Sequence, residues 1–267
     1  MNSLETHMVD ILKELKEKYS AISVRAEFEA EGTKLEELLR LKEISLSAGM
    51  GLALKIGGCE SIRDMLESRI VGVNCLIAPM VESPYALRKY LQAVKKVFTT
   101  EELKDLELFC NIETITACNN FESMLKIPEI GMLKGIVIER VDLCFSLGYD
   151  EKYINNKEIY LIISKIIRLA KKNRLVCTLG GGLSAQSLRY FEDTPDLFPC
   201  RYETRKVCFE HSQEKKSIYQ KSIIEALGFE LLWLKNKVSF CKGIQKADNE
   251  RIAIIEQNYL KEINCLI

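Results

Sequence analysis

Residues 108–143 read LFCNIETITACNNFESMLKIPEIGMLKGIVIERVDL, and this stretch decides the expected fold. An apolar run at 108–113 is followed by a helical pattern and then by a second apolar run at 135–143. Short apolar runs separated by helical segments are typical of β-α-β units in a parallel sheet. The stretch therefore predicts two parallel strands joined by a helix.

The same alternation extends in both directions along the chain. Further strands are predicted at residues 22–29, 52–57, 74–81, 175–180 and 201–209. Seven parallel strands with helical crossovers form either an open doubly wound sheet or, if one strand is atypical, a TIM (β/α)₈-type barrel. The barrel is favoured because nearly every apolar run ends in charged or small polar residues, which a barrel gathers at one mouth. We therefore predict an α/β protein with a TIM-type barrel.

The predicted organisation has three parts. Residues 1–20 form an N-terminal helix, residues 21–210 form the barrel, and residues 211–267 form helices without a further strand. Within that last part the helical patterns cover 217–235 and 247–263. Their apolar stripe is expected to pack on the barrel or on a neighbouring subunit.

Composition excludes several classes of protein. The 38 Lys and Arg residues balance 38 Asp and Glu residues, so no basic excess indicates a nucleic-acid partner. No apolar stretch approaches the roughly 18 residues that span a bilayer. The ten cysteines show no C-x-x-C spacing and stand mostly in apolar runs, as expected for free thiols in a reducing cytoplasm.

Two predicted strands place carboxylates at the expected mouth. Side chains two apart on a strand share a face, so Asn111 and Glu113 point together, as do Arg140 and Asp142. Glu113 and Asp142 would suit a hard cation such as Mg²⁺ or Mn²⁺. The spacing is equally compatible with an ion-pair network that includes Arg140 and Lys55.

A glycine-rich turn and a charged strand are further candidates for substrate binding. Gly181 and Gly182 follow a strand and precede a short helical pattern, where backbone N–H groups can face a carboxylate or phosphate. Arg205 belongs to a charged run that lines the mouth or lies at an edge. Neither histidine is placed at the mouth, so the base is expected to be a carboxylate, with Glu29 as a candidate, a metal-bound water or a substrate group.

Three motifs on successive predicted strands carry a resemblance to a known family. They are Ala78-Pro-Met-Val-Glu82-Ser83, Asn111-Ile-Glu113-Thr114 and Glu139-Arg-Val-Asp142-Leu143. In this order they resemble the HpcH/HpaI aldolase and citrate lyase family, over roughly residues 23–209. The resemblance implies a phosphoenolpyruvate/pyruvate-type TIM barrel, a divalent cation held by Glu113 and Asp142, and substrate contacts from residues such as Glu82 and Asn111.

The activity implied by the resemblance is carbon–carbon cleavage through an enolate. The substrate would be a pyruvate-like 2-oxo acid or an acyl thioester, with Lys55 and Arg140 as anion or enolate stabilisers, and subunits would assemble into a homo-oligomer through terminal helices. Two departures concern the site: Lys55 stands where the family usually has Arg, and the expected His after the strand at 22–29 is absent. A third departure is that the first family strand is missing, with the N-terminal helix in its place.

Two other functions remain open from the sequence. One is a barrel enzyme that acts on a phosphorylated sugar or sugar acid, which the glycine turn and Arg205 would tolerate. The other is a ligand-binding homologue that has lost turnover, for which Lys55 and the missing His are the motivation.

Overall fold

The computed structural model describes residues 1–191, 197–211 and 219–266 of the protein. The helices are α1 (Ser3–Tyr19), α2 (Leu35–Ser47), α3 (Ile62–Val71), α4 (Pro84–Val97), α5 (Ile115–Met124), α6 (Arg140–Ser146), α7 (Lys157–Lys172), α8 (Ala185–Arg189) and α9 (Tyr219–Leu266). The strands are β1 (Ala21–Glu27), β2 (Gly51–Lys55), β3 (Cys75–Ala78), β4 (Glu107–Ile112), β5 (Gly135–Glu139), β6 (Val176–Gly180), β7 (Arg201–Glu203) and β8 (Val207–Glu210).

The strands close into one barrel in the order of the sequence. Strands β1 to β7 pair with their neighbours in parallel, whereas β8 runs antiparallel to both β7 and β1. The predicted α/β barrel of TIM type is therefore confirmed. Its irregular strand is β8, which runs antiparallel and closes the gap between β7 and β1.

The single strand predicted at 201–209 is in fact a hairpin. The chain reverses at Thr204, whose backbone N–H donates to the Val207 carbonyl at 2.9 Å, while its hydroxyl accepts from the Val207 N–H at 3.2 Å. Arg205 and Lys206 at the turn both form ion pairs with Glu31, which follows β1. These contacts hold a turn that contains no Gly, Pro or Asn.

The interior of the barrel changes from apolar to charged along its axis. Ala53, Ile77, Phe109 and Val137 form a small apolar cluster inside the strands. Side chains two residues further along a strand face the same way. The inward positions that follow are therefore polar, and they are occupied by Lys55, Asn111 and Glu139.

The main core lies between the barrel and its surrounding helices. In α7, for example, the apolar residues recur at helical spacing and are buried, namely Ile159, Ile163, Ile166, Ile167 and Ala170. Side-chain caps fix where the outer helices begin, as at Ser83 for α4 and Asn156 for α7.

The C-terminal region is one long helix rather than the two segments predicted, and the predicted start at Ser217 lies outside the described residues. Helix α9 packs against α1. At this contact Asn236 bonds the Asn2 side chain at 2.8 Å and Glu5 at 3.2 Å. Across the described ranges, no helix has the length and apolar character needed to cross a membrane.

Candidate active site

A cavity of about 450 Å³ opens at the carboxyl ends of the barrel strands. This is the end at which TIM-barrel enzymes place their active sites. The start of α9 forms one wall through Ile223, Leu227 and Glu230. The polar lining comes from strand ends and the turns after them: Arg25, Glu27, Lys55, Glu139, Asp142, Gly181, Gly182, Glu203 and Arg205.

Lys55 places a buried ammonium among carboxylates. Its Nζ lies 2.8 Å from Oε2 of Glu29 and 3.5 Å from Oε2 of Glu27. Burial alone would lower the pKa of Lys55, but the charge of Glu27 and the hydrogen bond to Glu29 outweigh it and raise the pKa. Lys55 therefore stays charged at neutral pH.

A second cation, Arg25, lies deeper on β1 and clamps two carboxylates. Its Nη1 donates to Glu203, and Oε1 of Glu139 lies 3.5 Å from the same nitrogen. Gly180 allows this approach, because a Cβ there would stand 2.9 Å from an oxygen of each glutamate. Burial raises the pKa of Glu139, although the charges of Arg25 and Lys55 oppose the shift.

Glu113 follows β4 and is almost completely buried. Oε1 accepts from the Met80 backbone N–H at 2.6 Å, and Oε2 accepts from Nδ2 of Asn111 at 2.8 Å. Met80 takes a left-handed backbone conformation, with φ of 52°. Burial raises the pKa of Glu113 to about 7, and these two hydrogen bonds limit the rise.

Asp142 lies in the first turn of α6 and not on a strand. The strand predicted at 135–143 ends at Glu139, so the chain turns into a helix just before Arg140. Asp142 is exposed at the cavity wall, and desolvation still raises its pKa, with the charge of Lys55 opposing the rise.

Arg140 is fully buried behind the glycine turn rather than facing the cavity. Its guanidinium donates to three successive carbonyls, those of Gly180, Gly181 and Gly182, at 2.7 to 3.1 Å. A further donor reaches Oδ1 of Asn155 at 3.2 Å. This arrangement differs from the expected role in stabilising an anion, because the donors are directed at the backbone.

The glycine turn has a backbone geometry and a close approach that only glycine accommodates without strain. Gly181 and Gly182 have φ values of 71° and 58°, and a Cβ on Gly181 would stand 2.5 Å from the Arg140 backbone nitrogen. Ser184 caps α8, but this helix has only five residues. Any attraction of an anion therefore comes from individual N–H groups more than from a helix dipole.

Of the two remaining predicted residues, Arg205 lies in the cavity lining and Glu82 does not. Arg205 lines the cavity while its Nε donates to Glu31 at 3.0 Å. The Glu82 carboxylate instead accepts from the Thr114 hydroxyl at 2.7 Å and lies outside the cavity lining.

Arg25 and Glu139 line the cavity but were not among the residues predicted from the sequence. A signal was present, because Arg25 stands two residues before Glu27 and Glu139 stands two residues after Val137. In each pair the side chains share a face of the strand. A strand over 135–143 would place Arg140 and Asp142 on one face and Glu139 on the other, whereas β5 ends at Glu139.

The oxygen donors of Glu113, Asp142 and Asn111 are of the chemical kind that a hard divalent cation prefers. Glu113 and Asp142 offer carboxylate oxygens, and Oδ1 of Asn111 is buried without a hydrogen-bond partner among the described residues. Each Glu113 oxygen accepts one hydrogen bond, so a lone pair remains on each. No group of three or more His, Cys, Asp or Glu residues suited to a metal occurs in the described chain, so substrate and water would complete the shell.

These observations define the class of protein: it is a TIM-type barrel with acidic and basic side chains gathered at its mouth. The model of the HpcH/HpaI aldolase/citrate lyase family matches residues 58–180, a stretch that contains both Glu113 and Asp142. This match confirms the resemblance predicted from the sequence. No curated protein matches the chain.

Solved structures share the fold at low sequence identity. An HpcH/HpaI aldolase from Desulfitobacterium hafniense DCB-2 has a TM-score of 0.62 and 14% identity, covering 76% of this chain and 83% of that one. The citrate synthase SbnG has a TM-score of 0.59 and 13% identity, and the match covers 88% of this chain and 90% of that one. Macrophomate synthase has a TM-score of 0.53 and 12% identity, and the match covers 75% of this chain and 81% of that one. At these identities the similarity establishes the fold alone.

Proposed function

We propose that the protein is a metal-dependent carbon–carbon lyase of aldolase or citrate-lyase type. Its substrate would be a pyruvate-like 2-oxo acid or an acyl thioester that reacts through an enolate. The observation that carries this proposal is that Glu113 and Asp142 both feel the charge of Lys55, which opposes the rise in pKa that burial causes in each carboxyl. Asn111 adds an amide hydrogen-bonded to Glu113, and the chain matches an aldolase and lyase family.

Glu113 and Asp142 would hold Mg²⁺ or Mn²⁺, with Asn111 orienting Glu113 through its Nδ2. When bound, the cation would polarise the oxo and carboxylate oxygens of the substrate and so favour the enolate. The chain itself supplies Lys55, whose ammonium is fixed by Glu27 and Glu29 and stabilises negative charge that develops nearby.

The other predicted residues take more specific roles in the proposal. Glu29 is exposed at the mouth and is the candidate base. Gly181, Gly182 and Arg205 line the cavity and are retained as substrate contacts. Glu82 is not retained, and Arg140 is reassigned as a positioning residue for the glycine turn.

The charge of the cavity argues against a phosphorylated substrate. Six lining carboxylates, those of Glu27, Glu139, Asp142, Glu151, Glu203 and Glu230, face three cations, Arg25, Lys55 and Arg205. A phosphate dianion would enter this excess of negative charge, and each of the three cations already forms an ion pair with glutamate.

We also propose that the protein forms a homo-oligomer through α9. Five apolar residues on this helix are about half exposed or more, and they recur at alternating intervals of three and four: Ile224, Leu227, Leu231, Leu234 and Val238. Ile252 and Ile255 continue the same spacing. This heptad pattern is typical of a coiled-coil seam, so the occupant would be α9 of a second copy.

Multi-angle light scattering tests this assembly. Leu231→Lys combined with Leu234→Lys should shift the protein toward monomer. The matched control is Ile254→Lys, which replaces an equally exposed residue that lies off the stripe. Equal masses for both variants would contradict the proposed seam.

A reducing cytoplasm is the proposed location. Eight of the ten cysteines have side chains that the structure describes, and these eight are free thiols, five of them buried. Desolvation raises the pKa of Cys75, Cys118 and Cys208 to about 12, which keeps these thiols protonated and unreactive.

Deuterium exchange at the methyl group of pyruvate tests the function without knowledge of the electrophile. The wild-type protein should catalyse exchange in D₂O with Mg²⁺ or Mn²⁺, and EDTA should stop it. Glu113→Gln and Asp142→Asn should each reduce exchange by at least about 100-fold while leaving the fold intact. The matched control is Glu101→Gln, which changes an exposed carboxylate away from the cavity.

The outcomes separate the candidate functions. Metal-dependent exchange that needs Glu113 supports the lyase. If the metal stabilises the protein but neither pyruvate nor an acyl thioester exchanges, the protein is a ligand-binding homologue instead.

A further inference from the structure

Arg25 carries a buried guanidinium that has no role in the proposed reaction as described above. Its side chain is 2% exposed and lines the cavity from β1. In the strand register Arg25 lies beside Ala53, one inward step deeper than Lys55, which lies beside Glu27. The two cations thus stand at successive depths of the same cavity.

Only Nη1 of the Arg25 guanidinium donates hydrogen bonds to the surrounding glutamates. Nη1 donates to Glu203, and Glu139 approaches the same nitrogen. The nearest oxygen of Glu27 lies 3.8 Å from Nη2, which is too long for a hydrogen bond. Nε and Nη2 are buried and have no acceptor among the residues that the structure describes.

These two nitrogens, which lack a hydrogen-bond acceptor in the described part of the chain, have a defined geometry. Nε and Nη2 belong to one planar guanidinium, which can donate two parallel hydrogen bonds to the two oxygens of a carboxylate. Buried donors without acceptors are unfavourable in a folded protein and are normally satisfied by protein, ligand or water. An acceptor group is therefore expected at this edge of Arg25.

We propose that the Nε and Nη2 edge of Arg25 binds a carboxylate of the substrate at the base of the cavity. This inference rests on the proposed function, which supplies a substrate that carries such a group. A carboxylate group, with one negative charge, fits this edge better than a phosphate group with two, because Glu27, Glu139 and Glu203 surround the site. Lys55 contributes a point charge nearby, whereas Arg25 contributes the directional pair of donors.

The test compares binding of a carboxylate with binding of its neutral analogue. Calorimetry with pyruvate, oxalate and malonate, in the presence of Mg²⁺, should give an affinity that falls about 10- to 100-fold in Arg25→Lys. Binding of pyruvamide, which lacks the carboxylate, should not change between wild type and variant. The matched control is Arg201→Lys, which changes another arginine of the barrel, paired with Glu107 outside the cavity.

A crystal structure of the wild-type protein with oxalate gives an independent readout if Arg25→Lys folds poorly. Carboxylate oxygens within hydrogen-bond distance of Nε and Nη2 would support the proposal. Two waters at these positions, with oxalate bound elsewhere, would overturn it.

The outcomes also distinguish this inference from the proposed function. Unchanged pyruvate affinity in Arg25→Lys, with deuterium exchange intact, overturns the role of Arg25 and leaves the lyase standing. If carboxylate binding depends on Arg25 but no deuterium exchange occurs, the carboxylate site is supported and the proposed lyase activity is contradicted. If the wild-type protein binds none of the three carboxylates, the proposed carboxylate site is wrong.

Discussion

Asn111 and Glu113 are joined by a hydrogen bond of 2.8 Å between Nδ2 and Oε2, and Oδ1 of Asn111 is buried with no hydrogen-bond partner among the residues that the structure describes. The amide therefore does two things at the mouth of the barrel. Its Nδ2 favours the charged form of Glu113, which burial would otherwise protonate, and its Oδ1 keeps its capacity to accept a bond.

Replacing this amide should weaken metal binding. Asn111→Leu removes a hydrogen bond to the charged form of Glu113, so the pKa of that carboxyl should rise above about 7. At pH 7 we expect the affinity for Mn²⁺, measured by calorimetry, to fall about 10- to 100-fold. Asn120→Leu serves as control, since that amide donates to the Glu82 carbonyl away from the cavity. Unchanged affinity in Asn111→Leu would show that the amide does not orient the ligand.

Without divalent metal, stability should depend on the protonation of Glu113. The folded-state pKa of about 7 lies above the ordinary value of 4.5, so the folded protein holds more protons than the unfolded chain between these values. The free energy of unfolding should therefore decrease as pH rises from about 4.5 through 7, by at most about 3 kcal/mol from this group.

Urea unfolding in EDTA at pH 5 and pH 8 measures the effect. Glu113→Gln should show a smaller decrease than the wild type, with a remainder from Glu139 and Asp142, whose pKa values burial also raises. The same decrease in both proteins would place the titration elsewhere.

Arg140 should act on substrate binding through the glycine turn. Arg140→Lys keeps a charge but loses donors to the carbonyls of Gly180, Gly181 and Gly182, and we expect unfolding to become easier by about 2 to 4 kcal/mol. A loosened turn should raise KM more than it lowers kcat.

The control for this role is Asn155→Ala, which removes an acceptor of Arg140 outside the cavity lining. Asn155→Ala should also raise KM, but by less than Arg140→Lys does. If Arg140→Lys lowers kcat alone and Asn155→Ala changes neither constant, Arg140 instead contacts the reacting atoms.

The barrel and its mouth could be predicted from the sequence because alternating strands with polar ends leave few other arrangements. Lys55 and Asn111 follow inward apolar residues at a spacing of two, and this rule holds as long as the strand continues. It failed after Glu139, where the chain becomes helical and turns Arg140 away from the cavity. No local residue pattern marks that change, because Val141 and Leu143 suit a strand as well as a helix.

The hairpin at β7 and β8 was missed for a different reason. Its turn is held by the Thr204 hydroxyl and by the ion pairs of Arg205 and Lys206 with Glu31, which lies far away in the sequence. Contacts of this kind exist only once the barrel has formed, so a reading of local turn residues does not find them.

Gly180 offers the sharpest test of the carboxylate pair that Arg25 holds. A Cβ at this position would stand 2.9 Å from Oε1 of Glu139 and from Oε1 of Glu203, so Gly180→Ala must push the two glutamates away. Because Arg25 binds both, we expect a loss of about 1 to 3 kcal/mol in the free energy of unfolding. Gly131→Ala is the matched control, since a Cβ there meets nothing within 4 Å. Chemical unfolding that finds both variants as stable as the wild type would mean that the glutamates move freely, and the clamp at Arg25 would then not be rigid enough to orient a substrate.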